Sequence, residues 1–194
     1  MIEFNPRKTQ SIRRLGAVDI AAIREDILAI PDVVWDFENS SKPNAYQALD
    51  ATRHIVFRFV DSTRDWRESY DRPLWEAWRG KLEPVLAQAT RPYGYARGMF
   101  PRVMLARMGP GGIIRPHNDT NVAARWPHKI HVPIQTNDQV AFLVGDTEYH
   151  FPEGEAVEVD NMGLHAVRNA GASDRIHLIF EYYDLDQPDP DWIR

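Results

Sequence analysis

The period of the apolar residues changes once along the chain, near Tyr95. Upstream it is helical. Ile20, Ile23, Ile27, Leu28 and Ile30 recur every three or four positions, with Asp19 as candidate N-cap and Pro31 as a stop, which predicts a helix over residues 19–30. A polar lead-in precedes it. Residues 31–53 are interrupted by Pro, Asn, Ser and Asp and read as irregular, after which His54-Ile55-Val56-Phe57-Arg58-Phe59-Val60 predicts a strand. A second helix is expected from Pro73, with Leu74, Trp78, Leu82, Val85, Leu86 and Ala89 on one stripe and Pro84 as a point where it kinks or breaks.

Downstream, apolar and polar residues alternate, which predicts strands near 97–107, 129–135, 139–144, 147–151, 155–159, 164–169 and 175–183 and no further helix. Their joints are turn-formers, among them Gly109-Pro110-Gly111-Gly112, Gly145-Asp146, Pro152-Glu153-Gly154 and Asn169-Ala170-Gly171. Many short strands with close turns predict a mainly β fold, a sandwich or jelly roll, with the two N-terminal helices laid over one sheet. At 194 residues a single domain is expected: a helical and irregular part over 1–94, a β core over 95–183 and an acidic, proline-rich surface tail over 184–194.

Composition narrows the function classes. A net charge of -5 without a basic stripe argues against a nucleic-acid partner. The absence of cysteine excludes disulfides, iron–sulfur clusters and cysteinyl zinc, and suits a reducing cytoplasm. The first residues lack the apolar core of a signal peptide and no run approaches spanning length, so a cytoplasmic protein without a membrane partner is expected.

The candidate chemistry centres on His117-Asn118-Asp119 and the later His165. Residues two apart on an extended segment point to one side, so His117 and Asp119 offer an imidazole and a carboxylate together; His165, from a distant strand, would complete a three-point face. Such a set suits Fe(II) and leaves coordination positions for small ligands. Taken alone, a His-x-Asp pair is most often a surface turn. Two nearby strands change that balance. In Lys129-Ile130-His131-Val132-Pro133-Ile134, Lys129 and His131 share a face opposite Ile130, Val132 and Ile134; in Arg175-Ile176-His177-Leu178, Arg175 and His177 share one likewise. If the helices cover the aliphatic faces, the cationic faces line a pocket suited to a small dianion, because guanidinium grips a carboxylate through two parallel hydrogen bonds. The commoner arrangement turns such charged faces to water.

Several segments, in this order and spacing, resemble the aspartyl/asparaginyl β-hydroxylase-like family of Fe(II)/2-oxoglutarate-dependent oxygenases. They are the stretch from Met108 through the glycines to Arg115-Pro116-His117-Asn118-Asp119, the Lys129 to Asn137 strand, Gly154-Glu155 with Asp160-Asn161, His165-Ala166-Val167-Arg168-Asn169 and Arg175-Ile176-His177-Leu178. They span roughly residues 97–183 and leave the N-terminal half unmatched. The resemblance implies a double-stranded β-helix, a cupin-like jelly roll, in which His117, Asp119 and His165 bind iron and 2-oxoglutarate chelates the same ion, with O2 as the second cosubstrate. It further implies that Arg175 holds the distal carboxylate of 2-oxoglutarate and that Lys129 and His131 lie near the proximal one. Relatives often carry Arg where this chain has Lys129, a point charge in place of a planar fork. Some relatives that act on protein side chains lack the acidic ligand, so the presence of Asp119 points to a free amino acid or related small metabolite as substrate.

Three readings follow: a hydroxylase of an unactivated C–H bond in such a metabolite, coupled to conversion of 2-oxoglutarate to succinate; a hydroxylase of a protein Asp or Asn side chain; and a cupin-like dioxygenase or isomerase that makes no use of 2-oxoglutarate. The loop over residues 120–127, with Asn121, Arg125 and Trp126, reads equally as a substrate wall and as a surface loop. His54, His128 and His150 are set aside, Arg97, Arg102 and Arg107 default to solvated arginines although Arg102 is within reach of the pocket, and Asn161 and Asn169 are assigned to turns.

Overall fold

The computed structural model describes residues 5–44, 46–61 and 63–188. Among these, twelve strands and three helices follow in the order β1 (Ile12–Ala17), α1 (Ala21–Leu28), α2 (Asp32–Ser40), β2 (Thr52–Phe59), β3 (Tyr70–Asp71), α3 (Leu74–Thr90), β4 (Gly98–Met99), β5 (Val103–Met108), β6 (Ile113–His117), β7 (His128–Gln135), β8 (Val140–Val144), β9 (Thr147–Tyr149), β10 (Glu155–Val159), β11 (His165–Asn169) and β12 (Arg175–Asp184). They form two antiparallel sheets. The larger runs β1-β10-β7-β12-β5-β2-β3, with β4 added to β12, and the smaller runs β6-β11-β8-β9. The mainly β expectation is met.

Alternation along the strands decides which side of the larger sheet is covered. Ile55 and Phe57 of β2, Leu105 of β5, Ile130, Val132 and Ile134 of β7 and Ile176, Leu178 and Phe180 of β12 form one core with Ile23 and Ile27 of α1, Trp35 of α2 and Leu82, Val85, Leu86 and Ala89 of α3. Helices therefore pack outside the larger sheet, and residues of opposite parity face the smaller one. Met108, Ile114, Phe142, Val144, Val157, Val159 and Val167 form a second core between the sheets. Gly145 and Gly154 hold positive φ, +56° and +74°, where the hairpin into β9 and the entry to β10 reverse the chain.

Local expectations need correction. Residues 32–40 are helical: Pro31 occupies the N-cap position instead of ending structure, Asp32 stands in the first turn, and burial of Trp35 holds the helix down. The polar lead-in contains β1, whose arginines suit an edge strand paired only with β10. Thus the part upstream of residue 95, expected to hold one strand near 54–60 among helical and irregular segments, supplies three strands to the larger sheet. The first helix starts at Ala21 with Ile20 as its cap, and Asp19 Oδ1 accepts from Ala21 N–H at 3.0 Å. Pro84 lies inside α3, which runs unbroken from Leu74 to Thr90. The tail does not begin at the surface: Asp184 and Gln187 are buried, and the expectation for 189–194 lies outside the described residues. No helix among the described residues is long and apolar enough to cross a membrane.

Candidate metal centre and its flanking cavities

His117 ends β6 and His165 begins β11, and these two strands pair antiparallel with His165 opposite His117. The pairing brings the rings to 4.3 Å between centroids. Asp119 follows two residues beyond the strand, its amide fixed by donation to Asn161 O at 2.7 Å. One donor atom from each of His117, Asp119 and His165 lies within 4.8 Å of the others. Each imidazole is fixed by the carbonyl two residues before it, His117 Nδ1 to Arg115 O at 2.9 Å and His165 Nδ1 to Gly163 O at 3.1 Å. A carbonyl only accepts, so both Nδ1 atoms carry the proton and both Nε2 lone pairs are left to bind a cation. His117 Nε2 faces Asp119 Oδ1 at 3.8 Å.

Burial alone would raise the Asp119 carboxyl. The Lys129 ammonium, helped by His165 and His117, overcomes that and holds it well below the carboxylate range. Lys129 Nζ donates to Asp119 Oδ2, so Lys129 sits in the predicted pocket with its ammonium on the acidic ligand. Burial lowers His165 as well, which keeps the ring neutral and able to ligate.

Beside the centre lies a cavity lined by Leu49, Thr52, His54, Ala106, Ile114, His117, Lys129, His131, Phe142, His165, Val167, Arg175 and Ile179. Arg175 and His131 are therefore brought together with His117 and His165 and with Lys129, whose ammonium reaches Asp119. Arg175 is 1% exposed, and burial pulls its guanidinium down to about 9, still cationic at neutral pH. Its Nη2 donates to His177 Nδ1 at 2.8 Å, while Nε and Nη1 are buried with no hydrogen-bond partner. Two orphaned donors on a buried cation call for an anionic acceptor such as a carboxylate, because unpaired buried N–H groups are rare. His131 approaches His177 at 3.4 Å between Nδ1 atoms and lies edge-on to Phe142; burial, then Arg175 and Lys129, hold it far below its ordinary value. The donor set and the orphaned fork fit Fe(II) and a dicarboxylate.

A second cavity adjoins the first, sharing Leu49, His54, Lys129 and Ile179 with it and adding Asp119. Asn44, Tyr46, Phe59, Arg102, Met104, Asn121, Phe180 and Glu181 complete its walls. Three of these were missed or misassigned by sequence reasoning. His54, set aside as outside the matched half, is buried between the cavities and meets Lys42 Nζ at 3.3 Å; burial first, then Lys42, lowers it to about 3. No sequence signal marked it, because the pairing of β2 with β5, which sets His54 opposite Ala106 of the cavity wall, is a tertiary contact. Arg102 is buried instead of solvated, with Nη1 on Glu181 Oε1 at 2.8 Å and Nη2 on Val60 O at 2.9 Å. Glu181 shares a β12 face with Arg175 and His177, so continuing the alternation by two more steps would have found it.

Other assignments hold. His128 points away from the cavities, to Glu158 and Tyr95, and His150 is exposed. Asn169 Nδ2 donates to Met108 O, Gly109 O and Ser173 O, closing a turn. The 120–127 loop is anchored rather than free: Lys8 Nζ donates to Ala124 O at 3.0 Å and Pro127 O at 2.5 Å, and Asn5 Nδ2 to Trp126 O at 2.8 Å.

Comparison with known proteins agrees with this geometry. The family model for aspartyl/asparaginyl β-hydroxylase matches residues 19–184, extending well upstream of the motif-bearing segments. No curated protein matches the sequence. Among solved structures, a 2OG-Fe(II) oxygenase family oxidoreductase from Burkholderia pseudomallei superposes with a TM-score of 0.53 at 15% identity, over 78% of this chain and 77% of that one. HygX from Streptomyces hygroscopicus, with nickel and 2-oxoglutarate bound, gives 0.53 at 10% identity over 91% and 84%. The viral collagen prolyl hydroxylase of Paramecium Bursaria Chlorella virus-1, in its 2OG complex, gives 0.51 at 11% over 91% and 97%. At these identities the likeness is one of fold, the jelly roll of the oxygenases.

Proposed function

The chain belongs to the aspartyl/asparaginyl β-hydroxylase family and is a 2-oxoglutarate-dependent Fe(II) oxygenase, and we propose that it hydroxylates an unactivated C–H bond in a free amino acid or related small metabolite. In this reading His117, Asp119 and His165 hold the metal, Arg175 holds the distal carboxylate of 2-oxoglutarate, and Lys129 and His131 lie near its proximal carboxylate. The observation that carries it is the buried Arg175 fork, with Nε and Nη1 unpaired, opening on the cavity that the two candidate histidine ligands also line. A cupin-like enzyme with no dicarboxylate to bind would have no use for a buried, half-satisfied guanidinium.

When bound, Fe(II) and 2-oxoglutarate supply the oxidising chemistry, in which one oxygen atom of O2 enters the substrate and the other the succinate formed with carbon dioxide. The chain's residues bind, orient and exclude water. The carbonyls of Arg115 and Gly163 hold both imidazoles in the ligating tautomer. Lys129 keeps the Asp119 carboxylate ionised and oriented. Ile114, Phe142, Val167 and Ile179 give the Arg175 cavity an apolar wall that keeps bulk water from the bound cosubstrate.

The test is a screen of free amino acids, related amines and short peptides for substrate-stimulated succinate release, with mass spectrometry of the product for the gain of one oxygen. Stimulation by a free metabolite with that gain supports the reading; stimulation by Asp- or Asn-containing peptides alone would move the substrate to a protein side chain.

A further inference from the structure

The cavities flanking the metal centre have opposite unsatisfied chemistry. On the Arg175 side the wall carries orphaned donors, Nε and Nη1. On the Glu181 side, among the described residues, every buried side-chain atom of the wall without a hydrogen-bond partner is an acceptor: Asn44 Oδ1, Asn121 Oδ1 and Glu181 Oε2. Glu181 is 3% exposed and stands directly opposite Lys129 in the pairing of β12 with β7. Arg102 satisfies only its Oε1. Arg102 itself has no nitrogen to spare as an orphan, since Nε, Nη1 and Nη2 each donate within the chain.

We propose that Glu181, Asn44 and Asn121 form a subsite for the protonated amine of the substrate, in the cavity that adjoins the Arg175 carboxylate pocket. The assignment rests on the oxygenase reading for which side the cosubstrate takes and deepens it by giving the substrate's polar end a class and a place. An ammonium is the compact group whose chemistry matches: it brings three N–H donors and no lone pair, so it satisfies acceptors without leaving a new orphan. A hydroxyl brings one donor and two acceptor sites, and a carboxylate brings acceptors only, which would meet the Glu181 carboxylate as a like charge. Glu181 supplies the charge-assisted contact and its place on β12, hydrogen-bonded to strands on both sides, makes it rigid.

The test uses protein loaded with Fe(II) and 2-oxoglutarate under argon, titrated calorimetrically with L-amino acids, their N-acetyl derivatives, the matching acids lacking the amine, and a polyol, glucitol. At least one free amine should bind saturably while its acetylated and deaminated counterparts do not. Glu181→Gln should weaken that binding by about tenfold or more, with the 2-oxoglutarate affinity held within about twofold. Because Glu181→Gln removes the charge partner of Arg102, Asn44→Leu serves as the second variant; it removes an orphaned acceptor without uncovering a charge and should also weaken the amine. Equal binding of acetylated or deaminated compounds, binding of glucitol in their place, binding of no amine at all, or unchanged amine affinity in both variants overturns the subsite. Failure of 2-oxoglutarate to bind the Fe(II) protein overturns the oxygenase reading separately, and the amine titration repeated with Fe(II) alone then still decides the subsite.

Discussion

Two histidines three residues apart on β7, His128 and His131, belong to buried polar clusters that are unlike in one respect. Around His128 everything is closed. Glu158, 0% exposed, accepts from His128 Nδ1 at 2.7 Å, Tyr93 OH at 2.9 Å and Thr9 N–H at 3.2 Å and pairs with Arg13 at 3.3 Å, while His128 Nε2 meets Tyr95 OH at 2.7 Å. Around His131 the cluster is open, with Arg175 Nε and Nη1 unpaired beside the histidine and carboxylate set. Both clusters are charged and buried, so neither charge nor burial separates them. Completion of the hydrogen bonds does, because a folding chain closes a polar network that serves only the fold and leaves open one that a ligand will close.

The comparison is broken most sharply at the metal face. His165→Ala should abolish both the weak visible absorption expected of anaerobic Fe(II) with 2-oxoglutarate and substrate-stimulated succinate release. Retention of that absorption in the variant would mean that Fe(II) and 2-oxoglutarate bind without His165, so that the metal face is misassigned.

Next in size is Arg175→Ala. Removing the buried fork should raise the 2-oxoglutarate requirement by about thirtyfold or more and leave Fe(II) affinity near the wild-type value, measured by titrating each with the other saturating. Equal losses of both would instead indicate a folding defect. His54→Ala, which trims the wall shared by the two cavities, should cost about three- to tenfold in 2-oxoglutarate or substrate affinity, again without loss of metal.

The closed cluster predicts the opposite profile. Glu158→Gln should leave the 2-oxoglutarate requirement within about twofold yet lower stability by about 1–3 kcal/mol, since Gln keeps one acceptor oxygen and leaves a buried donor without its partner. Burial alone would raise Glu158, but His128, the Thr9 amide and Arg13 together hold it below its ordinary value of 4.5. A carboxyl lowered by folding stabilises fully above its unfolded value and loses that contribution as pH falls through the lowered one. The wild-type melting temperature should therefore drop on acidification below about pH 4.5, with a shallower drop in the Gln variant. A cosubstrate defect in Glu158→Gln would erase the distinction between the clusters.

Periodicity and motif spacing were enough to place the β core, the apolar faces of β7 and β12 beneath the helices, and the residues that converge on the metal centre: His117 and Asp119 by their spacing, His165, Arg175, Lys129 and His131 by their order. These are local properties, since a side chain's face on a strand follows from its parity and a ligand's identity from its residue type. Helix α2, the edge strand β1, and the membership of His54 and Arg102 in the cavities came only with the tertiary structure, whereas Glu181 lay two steps further along the alternation of β12. Trp35 holds a short helix through a core contributed by distant strands, and β1 exists because β10 lies beside it. Above all, whether Glu158, Arg175 or Glu181 finds its hydrogen bonds inside the chain depends on neighbours remote in sequence, such as Tyr93, His177 and Arg102. A residue's chemistry is written in its own letter; whether that chemistry is already spent on the fold is decided by what folding places against it.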